Sequence, residues 1–270
     1  KVARDGSISI LLDAAEPVVF ALWADVDGTL FAGTSPQGKV YRIVGEKSEV
    51  FFDPGETYVW AIARGADGAL WVATGTEGRL YRVDASGKGS VAFDSEETHL
   101  RSLLALPGGD LLIGTAPAGL ALRWSAKEGA ARTIHDSALS EVVAFAPAPG
   151  GAAWAVVLAS ESSFLDAAPK PAAEGKTAES VEEEPQGVVV VVEGEGDGAA
   201  LAAGSRPAGA RGPRSELVRI LPSGVVEPVW SSADETVFAL AAEGERLWVG
   251  TGLEGKLYRF GEVYLSSPTS

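Results

Sequence analysis

The chain has 270 residues, 46% of them hydrophobic, which excludes a disordered chain and is enough for a substantial core. Its formal net charge of -15 repels phosphate backbones and speaks against nucleic-acid binding. The absence of Cys excludes disulfides, thiolate metal sites and a Cys nucleophile, and no apolar run is long enough for a membrane span.

In chain order, "KVARDG" (residues 1–6) matches "KVYRIVG" (39–45), so the sequence opens inside a repeat, with only its last two strands. Met is absent and the chain starts at Lys1, so residue 1 is read as other than the natural start. The segments "LFAGTSPQGKVYRI" (30–43), "LWVATGTEGRLYRV" (70–83), "LLIGTAPAGLALRW" (111–124) and "LWVGTGLEGKLYRF" (247–260) then align without a gap. One Gly recurs as Gly38, Gly78, Gly119 and Gly255, and one Arg as Arg42, Arg82, Arg123 and Arg259. A fifth copy is split: "AWAVVLAS" (153–160) begins it and "ELVRI" (216–220), with Arg219, completes it.

Each repeat holds four strand-like runs, here called a to d. In the second they are "TYVWAIA", "LWVAT", "RLYRV" and "SVAFD", with Asp67-Gly68 turning the chain between a and b. No amphipathic helix fits between them. Four strands in about 40–45 residues is the pattern of a β-propeller blade, whose largely apolar strands fit a sheet covered on both faces. The expected fold is therefore all-β: a propeller of four-stranded antiparallel blades, about five and a half of them present. The expected boundaries are a partial blade at 1–15, then blades at about 16–54, 55–95, 96–137, 138–232 and 233–265. The last has a, b and c, with "GEVYL" as a short d. A flexible, Pro-, Ala- and Glu-rich insertion at 160–215 interrupts the fourth complete blade, and its five valines suit an added hairpin. The surplus half-blade at the start implies one piece of a larger ring of six to eight blades.

The pattern "DGALWVATGTEGRLYRV" (67–83) resembles bacterial propeller repeats, as in two-component-regulator propellers, streptogramin lyases and WD40-like extracytoplasmic proteins. The resemblance covers nearly all of the chain outside 160–215. It implies the fold; such repeats serve sensors, lyases and binding scaffolds alike. It also implies an extracytoplasmic location, periplasmic or secreted.

In a blade, the d-to-a and b-to-c loops share one face. The d-to-a loops repeat an acidic residue as Glu16, Glu56, Glu97 and Glu235, and Tyr58 and His99 stand at equivalent places near the mouth of strand a. These six are the candidate ligand-binding residues, since carboxylates near a channel mouth suit a cation or a basic ligand.

Three other patterns resolve into turns and strands. Asp25, Asp27, Gly28 and Thr29 match the D-x-D-G-T motif of haloacid-dehalogenase-like phosphotransferases, but fall in an a-to-b turn with no helix following. Gly250, Gly252 and Gly255 match a dinucleotide turn, yet a strand follows, and only Gly255 holds in the other ungapped copies. The repeated arginines read as structural, with Asp13, Asp53, Asp94 and Asp136 at the ends of d strands as candidate partners. His99 and His135 are the only histidines and do not occupy matching blade positions, unlike the His and divalent metal of streptogramin-lyase-like enzymes.

The expected function is a non-enzymatic scaffold that binds or senses a protein or small ligand on the b-to-c and d-to-a face, with no cofactor, nucleic acid or membrane span. The alternatives are a metal-dependent lyase or hydrolase near Glu56, Glu97 and His99, and the sensor domain of a signalling protein.

Overall fold

The computed structural model describes residues 1–2, 4–159, 212–252 and 255–261. Nearly all of the expected insertion, and most of the short final strand, lie outside the described residues. Five antiparallel meanders follow one another. The first sheet is β1 (Val18–Ala24), β2 (Leu30–Ser35), β3 (Gly38–Val44) and β4 (Lys47–Glu56). The second is β5 (Tyr58–Arg64), β6 (Leu70–Gly75), β7 (Arg79–Val83) and β8 (Gly89–Asp94). The third is β9 (His99–Ala105), β10 (Leu111–Ala116), β11 (Leu120–Ser125) and β12 (Ala130–Asp136), joined to the second by the single pair Gly75–His99. The fourth is β13 (Glu141–Pro147), β14 (Ala153–Leu158), β15 (Ser215–Ile220) and β16 (Val226–Ser232). The fifth is β17 (Val237–Glu243), β18 (Arg246–Thr251) and β19 (Leu257–Phe260). Ahead of the first sheet, Val2 forms one isolated antiparallel bridge with Ile8.

Local chemistry makes the hairpins. Gly28 and Gly68 take left-handed backbone (φ 87° and 76°), while the preceding Asp27 and Asp67 each accept from the backbone N–H two residues on. At the far end of strand b, a buried threonine ties the b-to-c turn. Thr74 Oγ1 donates to the carbonyl of Arg79 at 3.0 Å and accepts from its N–H at 3.3 Å, and Thr34 does the same with Lys39.

The cores lie between sheets, not within them. In β6, Leu70 and Val72 pack toward the first sheet with Ala21, Phe31 and Val40. The alternate residues, Trp71 and Ala73, pack toward the third with Leu111, Ile113 and Trp124. Successive side chains of a strand point to opposite faces, so both faces must be apolar when both are covered. This is why the b strands read as unbroken apolar runs.

The recurring Gly of the b-to-c turn serves the same stacking. A Cβ on Gly78 would stand 1.8 Å from the carbonyl oxygen of Glu97 in the loop that leads into the next sheet, and one on Gly119 would stand 1.9 Å from that of Leu139 in the following such loop. Both also have positive φ, so the position is doubly reserved for glycine.

Candidate functional site

Each d-to-a glutamate reaches the b-to-c hairpin of the sheet it introduces. Glu16 accepts from Lys39 Nζ at 2.7 Å and from the Tyr41 hydroxyl at 2.8 Å. Glu235 does so from Lys256 Nζ at 2.6 Å and Tyr258 at 3.5 Å. Glu56 takes the Glu77 N–H at 3.2 Å, with Arg79 and the Tyr81 hydroxyl each at 3.4 Å. Glu97 takes the Ala118 N–H at 3.0 Å and Thr115 Oγ1 at 3.4 Å. The cation and the tyrosine are two residues apart on strand c, hence on one face of it.

Glu16, Glu56 and Glu235 are buried. Burial pushes the carboxyls of Glu16 and Glu235 up. Hydrogen bonds from Lys39 and Tyr41, and from Lys256, Thr251 and Tyr258, outweigh it and hold both below the ordinary carboxylate range. The repeated acids, expected from sequence near a channel mouth, stand ahead of the first, second, third and fifth sheets, each with internal partners.

Tyr58 and His99 are brought together by a different device. Every strand a carries a register shift near its start: Val19/Ala21, Val59/Ala61, opposite Gly114/Thr115 in β9, Val142/Ala144 and Val237/Ala239. The residue passed over is Phe20, Trp60, Arg101, Val143 or Phe238. A bulge re-aims the side chain it contains. Phe20 packs on Trp60 with ring centroids 4.5 Å apart, and Trp60 stacks on Tyr58 at 4.6 Å and 11°. His99 meets both rings edge-on, at 5.7 Å from Tyr58 and 5.5 Å from Trp60. The Arg101 guanidinium lies 4.0 Å from the Trp60 ring centroid and pairs with Glu141 at 3.3 Å.

This ladder crosses three sheets by their first strands, and the Arg101–Glu141 pair extends it to the fourth. Trp60 Nε1–H donates to His99 Nδ1 at 3.2 Å, which assigns the remaining ring proton to Nε2 in the neutral imidazole. Burial, and then the neighbouring Arg101 charge, hold His99 below its ordinary pKa and so favour that neutral form. The arrangement offers an aromatic surface, an imidazole donor and a fixed cation. Phe20 is 46% exposed and Phe238, its counterpart in the fifth sheet, 66%. Sequence reasoning missed the bulge residues; the signal was an aromatic, Arg or Val one or two residues after the strand's start, followed by a small residue.

The repeated arginines are structural, but their partners differ from the acids at the d-strand ends. Arg42 lies opposite Glu49 and pairs with it, and Arg219 lies 4.0 Å from Glu227. Arg82 pairs with Asp67 at 2.6 Å and Arg123 with Asp110 at 2.9 Å, both acids of a-to-b turns. Strands c and d are antiparallel, so the middle of c faces the start of d and the a-to-b end of the sheet. It is Arg79, at the start of c, that meets Asp94, at 3.5 Å. Asp25 of the D-x-D-G-T stretch takes Trp23 Nε1 at 2.6 Å and the Arg64 guanidinium of the next sheet, so it fastens two sheets together. Among the described residues, no three His, Asp or Glu side chains form a metal-binding group.

No protein-family model matches the chain, and no curated protein matches it. Solved structures do. A catalytically inactive virginiamycin B lyase from Staphylococcus aureus superposes with a TM-score of 0.62 at 12% identity, over 93% of this chain and 69% of that one. A nidogen/laminin complex chain gives 0.58 at 10% identity, over 89% and 74%. A putative gluconolactonase gives 0.55 at 13% identity, over 97% and 82%.

The fold is a β-propeller. The first strands of successive sheets, β1, β5, β9, β13 and β17, contact one another in turn, and the aromatic ladder lies along them. At these identities the likeness is one of architecture. Among the described residues, no helix is long and apolar enough to cross a membrane.

Proposed function

We propose that this propeller is a non-enzymatic binding scaffold, acting outside the cytoplasm, which takes a protein or small ligand on the face bearing the d-to-a and b-to-c loops. The observation that carries the reading is the ladder Phe20–Tyr58–Trp60–His99–Arg101 at the start of successive inner strands. Aromatic faces beside a donor suit a planar or sugar-like ring, or an apolar side chain of a peptide. In this reading Tyr58 and His99 touch the ligand. Glu16, Glu56, Glu97 and Glu235 act through the loops they brace.

A thermal-shift screen of planar aromatic compounds and oligosaccharides tests it. Hits must weaken at least tenfold in Trp60→Ala and survive in Glu235→Gln; hits indifferent to Trp60→Ala sink the assignment.

The likeness to a lyase and a putative lactonase keeps a second reading, a metal-dependent lyase or hydrolase near Glu56, Glu97 and His99. Calorimetric titration with Ca²⁺, Mg²⁺ and Zn²⁺ separates the two. Binding that Glu97→Gln abolishes favours the enzyme.

A further inference from the structure

The first blade has one covered face and one open face. Its open face carries Val19, Leu22 and the half-buried Leu30, with the buried Ile43 beside them, and by register these are the counterparts of Val59, Ile62, Leu70 and Val83 in the second blade. Those four pack against the preceding blade and are buried. Val59 is 0% exposed but Val19 is 44%; Ile62 is 7% exposed but Leu22 is 74%. A groove of about 940 Å³ runs along this open face, between it and residues 11–14.

Lys1 borders the same groove. Val2 bridges Ile8, the Lys1 amino group donates to the Ser9 carbonyl at 2.7 Å, and Ser9 N–H donates back to the Lys1 carbonyl at 2.9 Å. That is a c–d hairpin in miniature. In the repeat, Val2 aligns with Val40 and Leu80, both 0% exposed and paired on their other side to strand b. Val2 and Ile8 are instead exposed.

We propose that this groove is the seat of strands a and b of one more blade of the same repeat, with residues 1–15 as its c–d hairpin. Strand b pairs with the free edge at Val2, and its apolar side chains cover Val19 and Leu22. The four blade-to-blade interfaces already present point to this occupant, and the open face continues them at Val19, Leu22 and Leu30. A second copy of the chain does not suit the place. Propellers close with about four to eight blades, so five leave room for about three at most, whereas a copy brings five.

Strands a and b for such a blade can be supplied from the chain itself. Residues 55–78 end at Gly78, and in the repeat this Gly precedes the position of Lys1, as Gly38 precedes Lys39. The test places a second copy of 55–78 directly before Lys1. Because the protein has no Cys, Leu22→Cys is a clean reporter. In the unextended chain its thiol should react with a maleimide at close to the rate of a free peptide. In the extended chain the rate should fall at least tenfold, and a scrambled extension should leave it unchanged. A synthetic 55–78 peptide, titrated onto the unextended chain, gives a second readout should the fusion misfold, with protection expected. The proposal is overturned if neither extension nor peptide protects the thiol. It is equally overturned if the unextended chain protects it in a concentration-dependent way, which would show a second copy on the face.

Discussion

The second and fifth blades have nearly the same sequence and different surroundings. "LWVATGTEGRLYRV" (70–83) and "LWVGTGLEGKLYRF" (247–260) differ at few positions. Yet every residue of β6 is buried, whereas β18 alternates. Leu247 and Val249 are buried against the fourth blade. Trp248 and Gly250, the counterparts of Trp71 and Ala73, are partly open because the described residues place no blade on that side. The amphipathic character of a strand here is a property of its position in the stack. A sequence that reads as a fully buried strand becomes a half-exposed one when a neighbour is lacking.

The largest effect should come from the aromatic at that position. Trp71→Ala opens a cavity in the core between the second and third blades and should cost about 3–5 kcal/mol in urea unfolding. Trp248→Ala should cost less than half of that, since Trp248 keeps part of its surface in water; equal losses would mean that the fifth blade is covered too.

Next is the turn glycine. Gly78→Ala combines positive φ with a carbonyl at 1.8 Å from the new Cβ, and should cost about 2–4 kcal/mol. At Gly255 the φ is also positive, at 65°, but nothing lies within 4 Å, so Gly255→Ala should cost only about 1 kcal/mol. Denaturation midpoints of the two variants measure the difference directly.

Acid sensitivity is a smaller contrast. The Glu16 and Glu235 carboxyls are held below the ordinary value of 4.5 in the folded chain. Their contribution to stability is therefore complete above about 4.5 and lost as pH falls through the lower folded value. Glu16→Gln should flatten the acid limb of the urea midpoint plotted against pH, and an unchanged limb would show that the hydrogen bonds of Glu16 to Lys39 and Tyr41 add no stability.

The smallest effect concerns His99. Its pKa lies below 6.5 in the fold, so its contribution is full above 6.5 and lost as pH falls. Arg101→Ala should move its imidazole proton shift to titrate at higher pH, and His135 is the only other histidine signal in the spectrum.

Much of the fold was legible because turn chemistry and a repeat are local signals. Asp67-Gly68 marks the a-to-b turn whatever surrounds it, and the ungapped alignment at Gly38, Gly78, Gly119 and Gly255 marks each b-to-c turn. The candidate site was legible only in part. Tyr58 and His99 stand as neighbours, but the link between them, Trp60, depends on a bulge that sequence spacing does not reveal. The internal partners of the glutamates were not foreseen although their signal was present: Lys39 and Tyr41, Arg79 and Tyr81, and Lys256 and Tyr258 recur two residues apart, each pair placed to hold one carboxylate. Arginine partners were misplaced because a pairing register is a long-range fact.

By itself the sequence determined the element type, the order of strands and the positions of the turns, since backbone sterics and side-chain capping act within a few residues. Only the tertiary structure decided which faces are covered, which acids are already paired and which inner side chains meet. Those outcomes depend on the neighbouring blade, and no property of a single repeat encodes whether one is there.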